Sequence, residues 1–167
     1  MRHVKWIFVV LLTSSLTSFV EKGKPTGGLS VGDVAPDFNI EPTLSKHSDF
    51  ELSQLKGKYV LLSFWATYDA QSRMQNVKMS NVLKTAGNNI EMVSISFDEY
   101  PSIFKETIYM DEIVTPNCFL VAKGDKSILY KRYNLNRGFK NYLLDENGVI
   151  IAKNISAAEL PAYLDAV

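Results

Sequence analysis

Histidine and cysteine are scarce in this 167-residue chain, two and one respectively. In FWATYDAQSR, residues 64–73, Asp69 and Ser72 stand three positions apart where an apolar run gives way to what reads as a helix. A serine becomes a nucleophile only with a base beside it. Of the two histidines, His3 falls at the extreme N-terminus, and His47 sits in the polar stretch EPTLSKHSDF with no positional cue toward Ser72. Asp69 has a simpler use, because Asp is a favoured helix N-cap worth about 0.5–2 kcal/mol over Ala. Asp69 is therefore expected to cap the helix, and Ser72 to be a solvated first-turn hydroxyl. Cys118 is the single cysteine, which excludes an internal disulfide and single-chain dithiol exchange. Within the apolar run NCFLVA it is expected to be an inert or partly shielded core thiol. The alternative is a one-cysteine peroxidase or reductase drawing on an external reductant, or an intermolecular disulfide. Two histidines and one cysteine offer no ligand spacing, so no metal and no cofactor is expected.

The elements that must position these residues alternate along the chain. YVLLSFW (59–65) and IEMVSISF (90–97) are short apolar runs of the kind that form buried parallel strands. Between them residues 69–86 place Met74, Val77, Met79, Val82 and Leu83 on overlapping helical faces, and Gly87-Asn88-Asn89 supplies a stop. SIFKETIYMDEI after Pro101 reads as a second helix, and CFLVA (118–122) as a strand in an inserted or variable region. NYLLD and VIIAK flank Glu146-Asn147-Gly148, a strong hairpin signal. Ser156 and Glu159 fit a capping box, with the helix itself expected to begin nearer Glu159 because Pro161 follows.

The first twenty residues have a basic head (Arg2, Lys5), an apolar middle from Trp6 to Leu12 and a polar tail, the layout of a secretory signal peptide. The apolar run breaks at Thr13, well short of the roughly 20 residues a membrane span needs. Residues 1–20 are expected to be cleaved, 21–30 to form a flexible linker, and 31–167 to be one domain. Lys plus Arg equal Asp plus Glu at 18 each, and losing Arg2 and Lys5 leaves a mild acidic excess. That balance argues against a nucleic-acid partner, and no membrane span is expected after cleavage.

VGDVAPDF (31–38), LSQLKGKYVLLSFWAT (52–67) and YLLDENGVIIAK (142–153) resemble the corresponding segments of TlpA/ResA-type thiol-disulfide oxidoreductases, and the first two also those of the AhpC/TSA peroxiredoxins. The resemblance implies an α/β thioredoxin-like fold, a central mixed β-sheet flanked by helices. In that family the strand ends in a W-C-x-x-C motif with the first sulfur at a helix N-terminus, where the dipole favours the thiolate. Aligned on FWAT, Tyr68 falls on the tryptophan, Asp69 and Ser72 on the two cysteines, and Ala70-Gln71 between them. Gln75 replaces a frequent glutamate, Val77 a frequent proline, and Phe139 or Lys140 a cis-proline. A non-proline cis bond costs about 2.5–4 kcal/mol, so that loop is expected to be trans.

These replacements imply a site without redox catalysis. The expected function is a secreted, periplasmic binding module for a protein or peptide of the cell envelope. Its surface would comprise Trp65, Tyr68, Asp69, Ala70, Gln71, Ser72, Gly138 and Phe139, with Tyr142 nearby.

Overall fold

The computed structural model describes residues 25–41, 49–86, 90–113, 115–121 and 123–165. Residues 1–20, expected to be a signal peptide, the Gly87-Asn88-Asn89 helix stop and His47 lie outside the described residues. Strands β1 (Asn39–Ile40) and β2 (Phe50–Glu51) form a small antiparallel pair. The main sheet is built from β3 (Tyr59–Trp65), β4 (Ile90–Ser96), β5 (Asn117–Leu120), β6 (Asn141–Leu144) and β7 (Ile150–Lys153), in the order β5-β4-β3-β6-β7. Helices α1 (Ala70–Ala86), α2 (Pro101–Met110), α3 (Ile128–Arg132) and α4 (Leu160–Leu164) complete the order. Among the described residues no helix is long and apolar enough to cross a membrane.

The apolar runs become the centre of the sheet because both of their faces find cover. β3 pairs in parallel with β4, from Tyr59 opposite Ile90 to Trp65 opposite Ser96, and antiparallel with β6 on its other side. Its side chains alternate across the sheet. Val60, Leu62 and Phe64 join Phe97, Tyr133 and Tyr142 in one core cluster. Leu61 joins Met79, Leu143 and Leu160 in a second, where α1 and α4 meet the sheet. Trp65 joins Phe104, Ile113 and Leu120 in a third.

The segment around Cys118, read as a strand in an inserted or variable region, is the edge strand β5, parallel to β4 with Ser94 opposite Cys118. Against it packs the β1–β2 pair, whose Phe50 ring lies 4.5 Å from that of Phe119. Helix α2 ends at Met110, three residues before its apolar pattern does. Glu112 adopts a left-handed φ of 49°, and the Ile113 N–H donates to Ile108 O at 3.2 Å while the Glu112 N–H reaches Tyr109 O. This is a Schellman turn without its usual glycine, and it folds Ile113 back beneath Trp65.

Between β6 and β7, Asp145 Oδ1 accepts the N–H groups of Asn147 (2.9 Å) and Val149 (2.8 Å), and Gly148 takes φ 79°. Ser156 and Glu159 exchange the expected reciprocal bonds, Ser156 N–H to Glu159 Oε2 at 2.7 Å and Glu159 N–H to Ser156 Oγ at 3.3 Å. Residues 26–30, read as part of the linker, bond back onto the domain: the Val34 N–H donates to Thr26 O and the Thr26 hydroxyl to Asp33.

Candidate functional site

Strand β3 leaves the sheet at Trp65, and a tight turn through Thr67 and Tyr68 delivers the chain to α1. The Asp69 N–H donates to Ala66 O at 3.1 Å, closing that turn. Asp69 Oδ1 then accepts the Ser72 N–H at 2.8 Å, which is the N-cap bond. The Ser72 hydroxyl is turned back on Asp69 O at 3.2 Å. The turn is strapped to the end of β4 by Asp98, whose Oδ1 accepts both the Thr67 N–H (2.9 Å) and its hydroxyl (2.6 Å). One turn into α1, Arg73 forms a two-pronged ion pair with Asp111 at 2.7 Å per contact, tying α1 to the end of α2. The pair holds the guanidinium's proton still more tightly than usual.

Facing the start of α1 is the loop that enters β6. It carries Gly138 at φ 102° and Phe139. No described peptide bond is cis, so the loop passes through Phe139 and Lys140 in the trans form. A cleft of about 370 Å³ runs between loop and helix, lined by Asp69, Gln71, Ser72, Gln75, Gly138 and Phe139. Arg137 and Lys140 line it as well. The Gln75 Oε1 atom is buried with no hydrogen-bond partner. An uncharged amide thus lies where the family resemblance places a titratable carboxylate.

Tyr68 is 70 % exposed and its ring stands 6.2 Å from that of Phe139. Phe139 also meets Phe97 at 6.0 Å and Tyr130 at 6.2 Å, so it anchors the loop to the core. Burial, then the negative field of nearby groups including Asp98, raises the Tyr68 phenol above its ordinary range. Ala70 and Gln71 are exposed.

Two aromatic residues expected at this surface are elsewhere. Trp65 is wholly buried: strand alternation sends it to the face opposite Phe64, and its indole N–H donates to Ser94 Oγ at 2.9 Å. Tyr142 is buried on the Phe64 face, packed 5.5 Å from Tyr133. Burial pushes its phenol up to about 12.

Cys118 does not face the cleft. It packs beside the Trp65 cluster and hydrogen-bonds Ser94, whose hydroxyl donates to Asn76 Oδ1 at 3.0 Å. Burial pushes the thiol up to about 11, the Ser94 bond offsetting part of the rise. Asn76 Nδ2 and Ser80 Oγ, close by on α1, are buried without partners. Asp98, Ser94 and Asn76 had no part in the sequence reading. The available signal for Asp98 was a carboxylate directly following the apolar strand in SISFDEY.

Known proteins share this frame. Thioredoxin-like protein YneN of Bacillus subtilis is 28% identical over 152 residues, spanning 87% of this chain and 86% of the relative. Thiol-disulfide oxidoreductase ResA of Bacillus cereus is 26% identical over 153 residues, spanning 89% and 83%. Among solved structures, a thioredoxin-like protein from Parabacteroides distasonis is similar with a TM-score of 0.72 at 44% sequence identity, covering 85% of this chain and 99% of its own. The thioredoxin domain of a thiol-disulfide oxidoreductase from Bacteroides vulgatus gives 0.69 at 25%, covering 83% and 98%. The AhpC/TSA family model matches residues 31–153. With that match over most of its length and the thioredoxin-like sheet beneath it, the chain belongs to the AhpC/TSA family, among relatives of the thiol-disulfide oxidoreductase type.

Proposed function

We propose that this protein is a redox-inactive member of its family that binds a protein or peptide through the surface around Asp69. The observation that carries the reading is the Asp69 carboxylate itself, engaged with the Ser72 N–H at 2.8 Å. It stabilises the start of α1 as a fixed anion, and a carboxylate forms no mixed disulfide. What remains is a cleft with exposed amide, hydroxyl and cationic groups beside the Tyr68–Phe139 pair, a mixture suited to extended peptide. The leader-like residues 1–20 support export, and similarity to a thioredoxin-like protein from Parabacteroides distasonis supports the periplasm as the compartment. The reading with Cys118 as a peroxidatic thiol lacks comparable support: at about 11, roughly one thiol in ten thousand is ionised at neutral pH.

The test uses the purified protein with dithiothreitol and insulin, and separately with hydrogen peroxide followed by intact-mass measurement. Insulin reduction no faster than without protein, and no peroxide-dependent mass gain, are expected. Capture of a cell-envelope protein should be lost in Asp69→Arg. Turnover in either assay that disappears in Cys118→Ser would overturn the reading.

A further inference from the structure

On the other side of Tyr68 a second cleft, of about 660 Å³, opens at the C-terminal ends of β3 and β4. We propose that it binds a singly charged organic cation, a lysine-type ammonium or an arginine-type guanidinium, with Asp98 as counter-charge and tyrosine rings as walls. Tyr68 and the turn that carries it belong to both surfaces, but the argument for this cleft does not rest on peptide binding around Asp69.

Asp98 lines this cleft and is only 3% exposed. Its oxygens accept from Thr67 N–H, from the Thr67 hydroxyl and from the Ser96 hydroxyl, the last at 2.6 Å. All three donors are neutral. Among the described residues no cation lies within ion-pair distance of it, and Arg73, the guanidinium that senses its field, is committed to Asp111. A buried carboxylate is costly unless paired. Three neutral hydrogen bonds hold this one in place without cancelling its charge, and a carboxylate has about four acceptor sites.

Walls and rim fit the same ligand. Tyr68 and Tyr100 are 70% and 57% exposed, and Tyr130 completes the set, its ring fixed 5.4 Å from that of buried Phe97. Aromatic faces around an anionic floor recognise organic cations. Glu99 and Asp125 also line the cleft, opposed by Lys123 and Lys126. One negative charge is left in excess, which suits a ligand of charge +1 over a polyamine or a divalent metal. The volume lies within the range of small-ligand sites.

The experiment titrates the full chain with N-acetyl-arginine methylamide and N-acetyl-lysine methylamide, followed by NMR. The Nε-acetylated lysine analogue is the neutral control, and calcium chloride the inorganic one. Expected are shifts at Tyr68, Tyr100 and Thr67 with either cation and weaker or absent shifts with both controls. Binding should fall tenfold or more in Asp98→Asn and about 3- to 30-fold in Tyr100→Ala. Should Asp98→Asn fail to fold, the exposed variants Tyr100→Ala and Lys123→Glu decide, the second binding at least twofold more tightly. Equal binding of the neutral analogue, undiminished binding in Tyr100→Ala, or no shift at about 10 mM, where even a millimolar site fills, would each overturn the proposal.

Discussion

Replacing Asp69 separates a residue kept for folding from one kept for binding at a cost in stability. The carboxylate meets the Ser72 N–H at 2.8 Å at the start of the 17-residue helix α1. Asp69→Ala removes the cap, costing about 0.5–2 kcal/mol. It also removes an anion from the positive end of the helix dipole, worth about 0.3–1 kcal/mol. The two contributions overlap, so the expected loss is about 1–2 kcal/mol, or about 3–8 °C in Tm for a domain of this size. Asp69→Asn keeps an acceptor and loses only the charge, so it should fall between wild type and Ala. Ser72→Ala gives up a 3.2 Å bond to a carbonyl on a partly solvated turn and should stay within about 0.5 kcal/mol. Urea unfolding followed by the fluorescence of buried Trp65 measures all three, with an unchanged denaturant slope as the check that only stability moved. An Asp69→Ala protein as stable as wild type, or more so, would refute the capping argument; it would mean that Asp69 is held at the cleft against the interest of the fold, as residues of working sites often are.

Cys118 should react with Ellman's reagent about ten times faster per pH unit across the alkaline range, because its thiol sits near 11 where an ordinary one sits near 9. The same difference links it to folding. Between those values the unfolded chain releases a proton that the folded chain retains, so stability falls as pH rises from about 9 to about 11. The loss relative to Cys118→Ser approaches about 2–3 kcal/mol; parallel pH profiles for the two proteins would refute it. Gly138→Ala should cost about 1–2 kcal/mol, through the backbone alone, since φ is 102° and an added Cβ would meet no atom within 4 Å. Thermal unfolding measures it, and an unchanged Tm would show that the loop relaxes freely.

What could be read in advance depended on how far each signal reaches along the chain. β3, β4 and the β6–β7 hairpin were legible because a continuous apolar run, or an Asn-Gly between two such runs, is contained in a few neighbouring residues. The start of α1 was legible for the same reason, since Asp69 caps a residue three positions away. The end of α2 was not, because its Schellman turn uses Glu112 at φ 49° where the local signal would be glycine. Ile113, buried beneath Trp65, rewards the strained turn, and that contact spans 48 residues of sequence. Trp65 shows the limit most directly. The aromatic richness of FWATY suggests a cluster, but a period of two puts neighbouring rings on opposite faces, so Phe64 meets Tyr133 and Tyr142 while Trp65 meets Phe104. Asp98 depends on a register two strands wide: Trp65 opposite Ser96 brings Thr67 over a carboxylate two residues past the end of β4. A side chain that holds the β3–α1 turn in place and also lines an aromatic cleft is therefore recognisable only once the sheet is assembled. The turn it anchors carries Tyr68 and Asp69, so the two clefts share one support, and a change at Asp98 should be felt at both.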